Sequence, residues 1–419
     1  MKAPCNLSPQ IKRDFQPETV RLLETIGTEG ATLDTSIYLV GGAVRDLFRG
    51  SAVRDLDLVS ETNGMKLAGS LAKAINAEVT AHSTFGTAQM VTPDLKFDIA
   101  TARRETYKRP GALPTVEPGS IQDDLARRDF SVNAMALHLH PDHFGDITDP
   151  FHGQNDLKLK RLRTLHPRSF IDDPTRILRA IRYEERLGIH MDTKTATLAQ
   201  DHSHYLDAVS GDRIRREIDN MFQEPLPESC LSRAQELGVL TTISPGLHWD
   251  MSITKNLSKI RDSRIQIDPL YFLAFLCLRM DSWHATAFCD RVNAPSEWRH
   301  VITGAVAVLS KISELSKPNL KDSKVDQLLR GIDETAINAF SLLQLERPAG
   351  LRLKLYTESL RNIRPNLDGH DLINLGSQVP IDRKSLLDGL RDAILDGVIQ
   401  GRDEEIRWVR EQLQARRER

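Results

Sequence analysis

Short apolar runs alternate with amphipathic stretches from Ile37 to about Leu165, and after Pro167 the chain is helically periodic almost to its end. Alternating apolar and polar positions indicate strands, and apolar positions three and four apart indicate helices. The pattern predicts strands at Ile37–Val40, Asp55–Ser60, Glu78–Thr80, Ala88–Val91, Leu95–Ala100 and Met135–Leu139. Helices are predicted near Ala43–Arg49, Gly64–Ile75 and Leu125–Val132, then over Pro174–Leu187, Thr193–His202 and Gly211–Gln223. Amphipathic segments continue to Leu413, with breaks at Pro225, Pro227, Pro245, Pro269, Pro318, Pro348 and Pro365. An α/β head followed by an all-α remainder gives an α+β fold class.

Chemistry enters at the first strand. Ile37-Tyr38-Leu39-Val40 runs into Gly41-Gly42 and a short helix carrying Arg45 and Asp46, and the next strand carries Asp55-x-Asp57. Glycines after a strand let backbone N–H groups and a helix N-terminus approach a polyanion closely. Residues two apart on a strand share a face, so Asp55 and Asp57 project together while Leu56 and Leu58 enter the core. Converging carboxylates call for a cation, and a hard, oxygen-preferring ion such as Mg²⁺ is the natural occupant. Alone, Asp-x-Asp would read as a solvated strand edge; beside the Gly-Gly turn it points to metal-assisted phosphoryl transfer.

Two further segments are rich in chemistry. Arg127-Arg128-Asp129-Phe130-Ser131-Val132-Asn133 places Arg128 and Asn133 where a predicted helix could reach a ribose and phosphate, the alternative being a solvated helix face. In Asp172-Asp173-Pro174-Thr175-Arg176-x-x-Arg179-x-x-Arg182, Pro174 suits a first helical turn with Asp172 or Asp173 as its cap. Asp173 and Arg176, three residues apart, would lie about 60° apart on that helix and could act together. Basic residues from Lys158 to Arg186 outnumber the acidic ones there, a local footprint for phosphate.

Composition limits the alternatives. The 419 residues leave room for several domains. A net charge of −2 and a pI of about 6.7 give no global basic signal, so nucleic-acid contact must be local. Cys5, Cys230, Cys277 and Cys289 show no metal-ligand spacing and fit reduced thiols of a cytoplasmic protein, Cys277 as a core residue. The polar N-terminus resembles no signal peptide, and no apolar run is long enough to span a membrane.

The order and spacing of these motifs closely resemble the class II tRNA nucleotidyltransferases, the CCA-adding enzymes and their bacterial poly(A) polymerase relatives. Ser210-Gly211-Asp212-Arg213-Ile214-Arg215-Arg216-Glu217 resembles the helix-stabilising motif of their neck, and Leu367 to Gly376 a motif of their tail. The resemblance implies a polymerase-beta-like head with a mixed sheet, followed by helical neck, body and tail. It places a lead-in at 1–35, the head at 36–166, the neck at 167–225, the body at 226–345 and the tail at 346–419. It implies Asp55 and Asp57 as Mg²⁺ ligands, Gly41, Gly42 and Arg45 at the triphosphate, and Arg128, Asp129 and Asn133 around the ribose. Asp173 and Arg176 would select the base, supported by Arg179 and Arg182. The implied reaction extends a tRNA 3′ end from CTP and ATP with release of pyrophosphate, and no membrane or protein partner is implied.

An aspartate acceptor beside an arginine donor suits cytosine and adenine, which both present an amine next to a ring-nitrogen acceptor; uracil and guanine present the reverse. Asp98, on a predicted neighbouring strand, is the candidate third acid, with a structural or solvent-facing carboxylate as the alternative. Two departures from the family pattern concern specificity. Asp172 stands where most members have Glu, and the segment Glu105 to Asp124, in the place of the family's flexible loop, is rich in Pro and Gly, which suggests a stiffer or differently used loop. An A-adding, CC-adding or poly(A)-making specialist therefore stays open, as does a non-catalytic RNA-binding protein, against which intact Asp55 and Asp57 argue. His138, His140 and His143 lack a carboxylate or cysteine at ligand spacing, and His370-Asp371 fits a helix cap. Trp249, Trp283, Trp298 and Trp408 are expected in helix packing.

Overall fold

Leu39 and Leu58 face each other at the centre of a seven-stranded mixed sheet. The computed structural model describes residues 6–53, 55–82, 86–93, 95–262, 266–343, 347–377 and 380–417; Cys5 and Arg54 lie outside them. Helices α1 (Ser8–Asp14) and α2 (Pro17–Thr32) lead into β1 (Ile37–Val40), α3 (Gly42–Arg49), β2 (Leu56–Ser60) and α4 (Gly64–Ile75). Next come β3 (Glu78–His82), β4 (Thr87–Val91), β5 (Lys96–Thr101), β6 (Arg103–Thr106) and β7 (Thr115–Pro118). Then follow α5 (Ile121–Ala126), β8 (Ala136–His138), β9 (Ile147–Thr148), α6 (Gly153–Lys158) and β10 (Arg161–Leu162). Helices α7 (Ser169–Asp172) and α8 (Thr175–Leu187), strand β11 (His190–Met191), α9 (Thr193–His202) and α10 (Gly211–Phe222) complete this part.

The main sheet has the order β3-β4-β5-β2-β1-β8-β9, and only β2 and β5 pair in parallel. Strand alternation divides its faces. Leu39, Leu58 and Ile99 pack with Leu23 and Ile26 of α2, Val44 and Leu47 of α3, and Leu67 and Leu71 of α4. Helix α2 comes so close that a Cβ on Gly27 would lie 1.8 Å from the Leu139 carbonyl oxygen. The opposite face holds Tyr38, Val40 and Val59, packed with Leu125 and Ala136. Helix α4 spans its predicted residues because the Asn63 side chain caps it and Asn76 ends it in a left-handed conformation.

One prediction fails locally and one segment is more ordered than its composition indicates. The predicted helix over Leu125–Val132 is instead α5, which ends at Ala126. Ser120 and Asp123 form a capping box that starts it earlier, and Phe130 is extended and bridges Thr164. The Pro- and Gly-rich segment expected to be a loop is largely the β6–β7 hairpin, paired from Arg103 with Pro118 to Thr106 with Thr115.

The chain divides into two compact units, Met1–Leu226 with Glu236–Thr242, and Pro227–Gln235 with Ile243–Arg419. The second is helical, with Pro227 and Pro269 each opening a helix, as their fixed φ favours. Trp249 is buried in it, its indole N–H donating to Ser232 and Thr254 at 3.1 and 3.0 Å. Cys230, Cys277 and Cys289 are buried, with no disulfide among the described residues. Trp283 departs from the packing expectation, being 71% exposed with its ring edge against His284. Asp368 caps the helix Gly369–Asn374 by a capping box with Asp371, which accounts for the His370-Asp371 pair. Among the described residues no helix is long and apolar enough to cross a membrane.

Candidate active site

The turn between β1 and α3 is built on one backbone conformation. Gly41 has φ +71° and ψ −127°, the mirror image of extended backbone and a region open to glycine. A Cβ there would lie 2.7 Å from Nη1 of Arg128, so the Arg128 guanidinium rests on the turn. Arg128 Nη2 donates to Asp124 at 2.9 Å, and its buried Nε has no hydrogen-bond partner among the described residues. One turn into α3, Arg45 donates from Nη1 to Asn133 Oδ1 at 2.7 Å and grips Asp46 with Nε and Nη2, both at 2.9 Å.

Asp57 faces away from the helix-covered side of the sheet, directly opposite Asp98 in the parallel β2–β5 register. It is solvent-accessible, as is Asp55 just before the strand. Desolvation by the surrounding cleft raises the Asp57 carboxyl pKa; Arg128 opposes this, while Asp98, Asp55 and Asp124 add to it. Asp98 accepts a hydrogen bond from Gln89 at 3.1 Å and does not line the cleft. Among the described residues no group of three or more His, Cys, Asp or Glu is arranged to hold a metal ion, the His138 cluster included.

Asp129 is buried. Its Oδ1 accepts from the Phe130 N–H at 2.9 Å and from Asn133 Nδ2 at 3.0 Å, and its Oδ2 from Arg179 Nε and Nη2 at 3.0 and 2.6 Å. Burial alone would raise this carboxyl, but Arg179, Asn133 and Arg176 hold it below the ordinary carboxylate value. Asp46, Arg45, Asn133, Asp129 and Arg179 thus form one chain of contacts from α3 to α8.

The predicted pair on α8 has a different geometry. Asp173 lies before the helix with φ −133° and ψ 94°, and it does not bond to Arg176 among the described contacts. Its Oδ1 accepts from the Thr175 N–H at 3.1 Å, the Thr175 hydroxyl at 2.7 Å and Arg213 Nη2 at 2.7 Å. Arg176 is buried and donates to Ser169 Oγ at 2.8 Å and the Arg127 carbonyl at 2.6 Å. Arg182 is also buried, in ion pairs with Glu217 at 3.5 Å and Glu224 at 3.4 Å.

These elements enclose a cleft of about 1100 Å³. It brings together Gly41, Gly42, Arg45, Asp55, Asp57, Arg128, Asp129, Asn133, Asp173, Arg176 and Arg179, and leaves Arg182 behind its wall. Sequence reasoning missed Glu105, Tyr107, Tyr183 and Arg213, which also line it. Tyr107 donates to Glu105 at 2.8 Å, and Glu105 also pairs with Arg127 at 3.1 Å. Arg213 lies in a segment already noted for its motif, but its partner Asp173 is 40 residues away, so no local pattern announces the pair.

The family described as the poly A polymerase head domain matches residues 37–163, and that described as a probable RNA and SrmB-binding site of polymerase A matches residues 188–251. The A-adding tRNA nucleotidyltransferase of Halalkalibacterium halodurans is 34% identical, over 97% of this chain and 95% of that one. The chain belongs to the poly(A) polymerase and tRNA nucleotidyltransferase family. Another member, the A-adding enzyme of Geobacter sulfurreducens, is 30% identical over 95% of this chain, which spans only 47% of that longer relative. Further relatives in the family are named as CC-adding and CCA-adding enzymes. Among solved structures, an apo CCA-adding enzyme superimposes with a TM-score of 0.83 at 29% identity, covering 99% of this chain and all of that one. The Thermotoga maritima CCA-adding enzyme complexed with tRNA gives 0.77 at 28% identity, with the same coverage.

Proposed function

We propose that this chain transfers AMP from ATP to the 3′ hydroxyl of a tRNA ending in CC and releases pyrophosphate. The observation that carries this reading is the nearly end-to-end alignment with an A-adding relative. A second reading, complete CCA addition from CTP and ATP, includes the same final step. It is favoured by CCA-adding structures that cover 99% of this chain, among them one solved with CTP.

Two accessible carboxylates converging on a cleft, with the Asp57 carboxyl pushed upward first by desolvation in the cleft and then by its acidic neighbours, fit a hard divalent cation. In this reading Asp55 and Asp57 would hold Mg²⁺. Bound there, the ion would neutralise phosphate charge and make the attacking hydroxyl more acidic.

The chain's own groups do the placing. The Gly41-Gly42 backbone, the α3 N-terminus and Arg45 hold the triphosphate, and Arg128 on the turn lies alongside. Asp129 commits both oxygens within the protein, so it acts by fixing Asn133 and Arg179 around the nucleotide. Asp173 leaves Oδ2 without a hydrogen bond among the described contacts, available to accept the amine of adenine or cytosine, with Arg176 as the donor side. Residues 1–35, 36–166, 167–225, 226–345 and 346–419 serve as lead-in, head, neck, body and tail. The helical body and tail grip the acceptor arm by shape and charge.

Incorporation of labelled CTP and ATP, separately and together, onto tRNAs ending in the discriminator base, in C and in CC tests both readings. A added only to the CC end establishes an A-adding enzyme, and CCA built on the shortest tRNA establishes the complete one. No incorporation with Mg²⁺ present overturns both.

A further inference from the structure

Tyr183 of α8 is 8% exposed and borders the cleft. Three guanidinium carbons surround its ring, Arg45 at 5.8 Å, Arg179 at 5.5 Å and Arg182 at 5.4 Å from the centroid. Its hydroxyl accepts a hydrogen bond from Arg179 Nη2 at 3.0 Å, and Phe130 packs edge-on at 5.8 Å. Arg45 arrives from α3 and the other two from α8, so the ring is the shared contact of the helix after the glycine turn and the helix after Asp173.

Like charges gathered in a poorly hydrated pocket repel, and something must hold them. Carboxylates do part of this, Asp46 for Arg45 and Asp129 for Arg179. A carboxylate occupies the same N–H donors that a phosphate needs, whereas an aromatic ring attracts the cation without taking those donors. We propose that Tyr183 is a positioning residue whose ring holds Arg45 and Arg179 with donors available to the triphosphate of the incoming nucleotide, while Arg182 supports the ring from behind the cleft wall. This rests on the cleft being the nucleotide site. Tyr183 itself makes no contact with the reacting atoms in this account, and the ring matters more than the hydroxyl.

The test compares the full-length wild type with Tyr183→Phe and Tyr183→Leu. Binding of inorganic tripolyphosphate, which has no base or ribose, is measured by calorimetry beside ATP kinetics on tRNA ending in CC. The Phe variant should match wild type within about twofold. The Leu variant should bind tripolyphosphate about tenfold more weakly and show the same rise in KM for ATP, with kcat within about twofold. Tyr183→Met, which fills the space without a ring, should repeat that loss and decides the matter if the Leu variant melts early. Unchanged tripolyphosphate binding in a folded Leu or Met variant overturns the proposal, as does a fall in kcat at constant KM. Wild-type protein that binds neither tripolyphosphate nor ATP overturns the nucleotide reading of the cleft, and this proposal with it.

Discussion

Arg213 joins Asp173 to the β6–β7 hairpin: its Nη2 lies 2.7 Å from the Asp173 carboxylate and its Nη1 donates to the Gly111 carbonyl at 3.2 Å. The carboxylate proposed to meet the base is therefore oriented by a side chain that also depends on the hairpin turn. With Arg213→Ala, Asp173 keeps only its Thr175 contacts and can rotate. Discrimination of ATP against GTP should fall by roughly tenfold, the scale of one charge-assisted hydrogen bond. Lysine should not restore it, because one ammonium cannot reproduce the fork. The check is the ratio of kcat/KM values for the two nucleotides, and an unchanged ratio removes Arg213 from specificity.

Asp55→Ala should reduce nucleotide addition by about 10³-fold or more, the scale of losing a charge-stabilising group in a catalytic site. Binding of tRNA should stay within about threefold of wild type, since the helical segments proposed to grip the acceptor arm are untouched. Full activity in this variant would refute the metal assignment.

Gly41→Ala should impair the proposed triphosphate site through geometry alone. The new methyl meets Arg128 Nη1 in a backbone conformation that alanine adopts only under strain, at a cost of about 1–3 kcal/mol. Gly42 has a negative φ at the first position of α3, and a Cβ there would meet Arg45 Nη2 no closer than 3.5 Å, so Gly42→Ala should be milder. Thermal midpoints and KM for ATP of the two variants, measured side by side, settle the order.

The buried Asp129 makes a prediction about acid. Its carboxyl pKa lies lower folded than unfolded, so its ion pair with Arg179 adds stability above the unfolded value and loses that contribution as pH falls through the folded one. Asp129→Asn lacks the pair throughout. The gap in melting temperature between wild type and variant should therefore narrow as pH drops from about 5 to about 2. A gap constant over that range contradicts the assignment.

The parts legible in sequence are those whose cause is local. The period of two along Leu56-Asp57-Leu58 separates core from cleft in the structure as on paper, and Asn63 and Asn76 bound α4 where expected. The Arg127-Arg128-Asp129 segment has helical spacing of its polar residues but lies beyond the helix that precedes it. The capping box at Ser120 makes Leu125 nearly the end of that helix. The hairpin escaped because its strands are four residues long and flank Pro110 and Gly111, which signal a loop. Asp173 and Arg176 have helical spacing, yet the backbone at Asp173 is extended, and tertiary partners at Arg213 and Ser169 take the two side chains apart.

Arg45, Arg127, Arg128, Arg176, Arg179 and Arg213 each already hold an oxygen of the protein. A guanidinium carries five N–H donors, so each of these is fixed in place by the protein without being used up. The arginines of the cleft are thus ordered by the protein's own oxygens, so an anion that binds there does not have to order them.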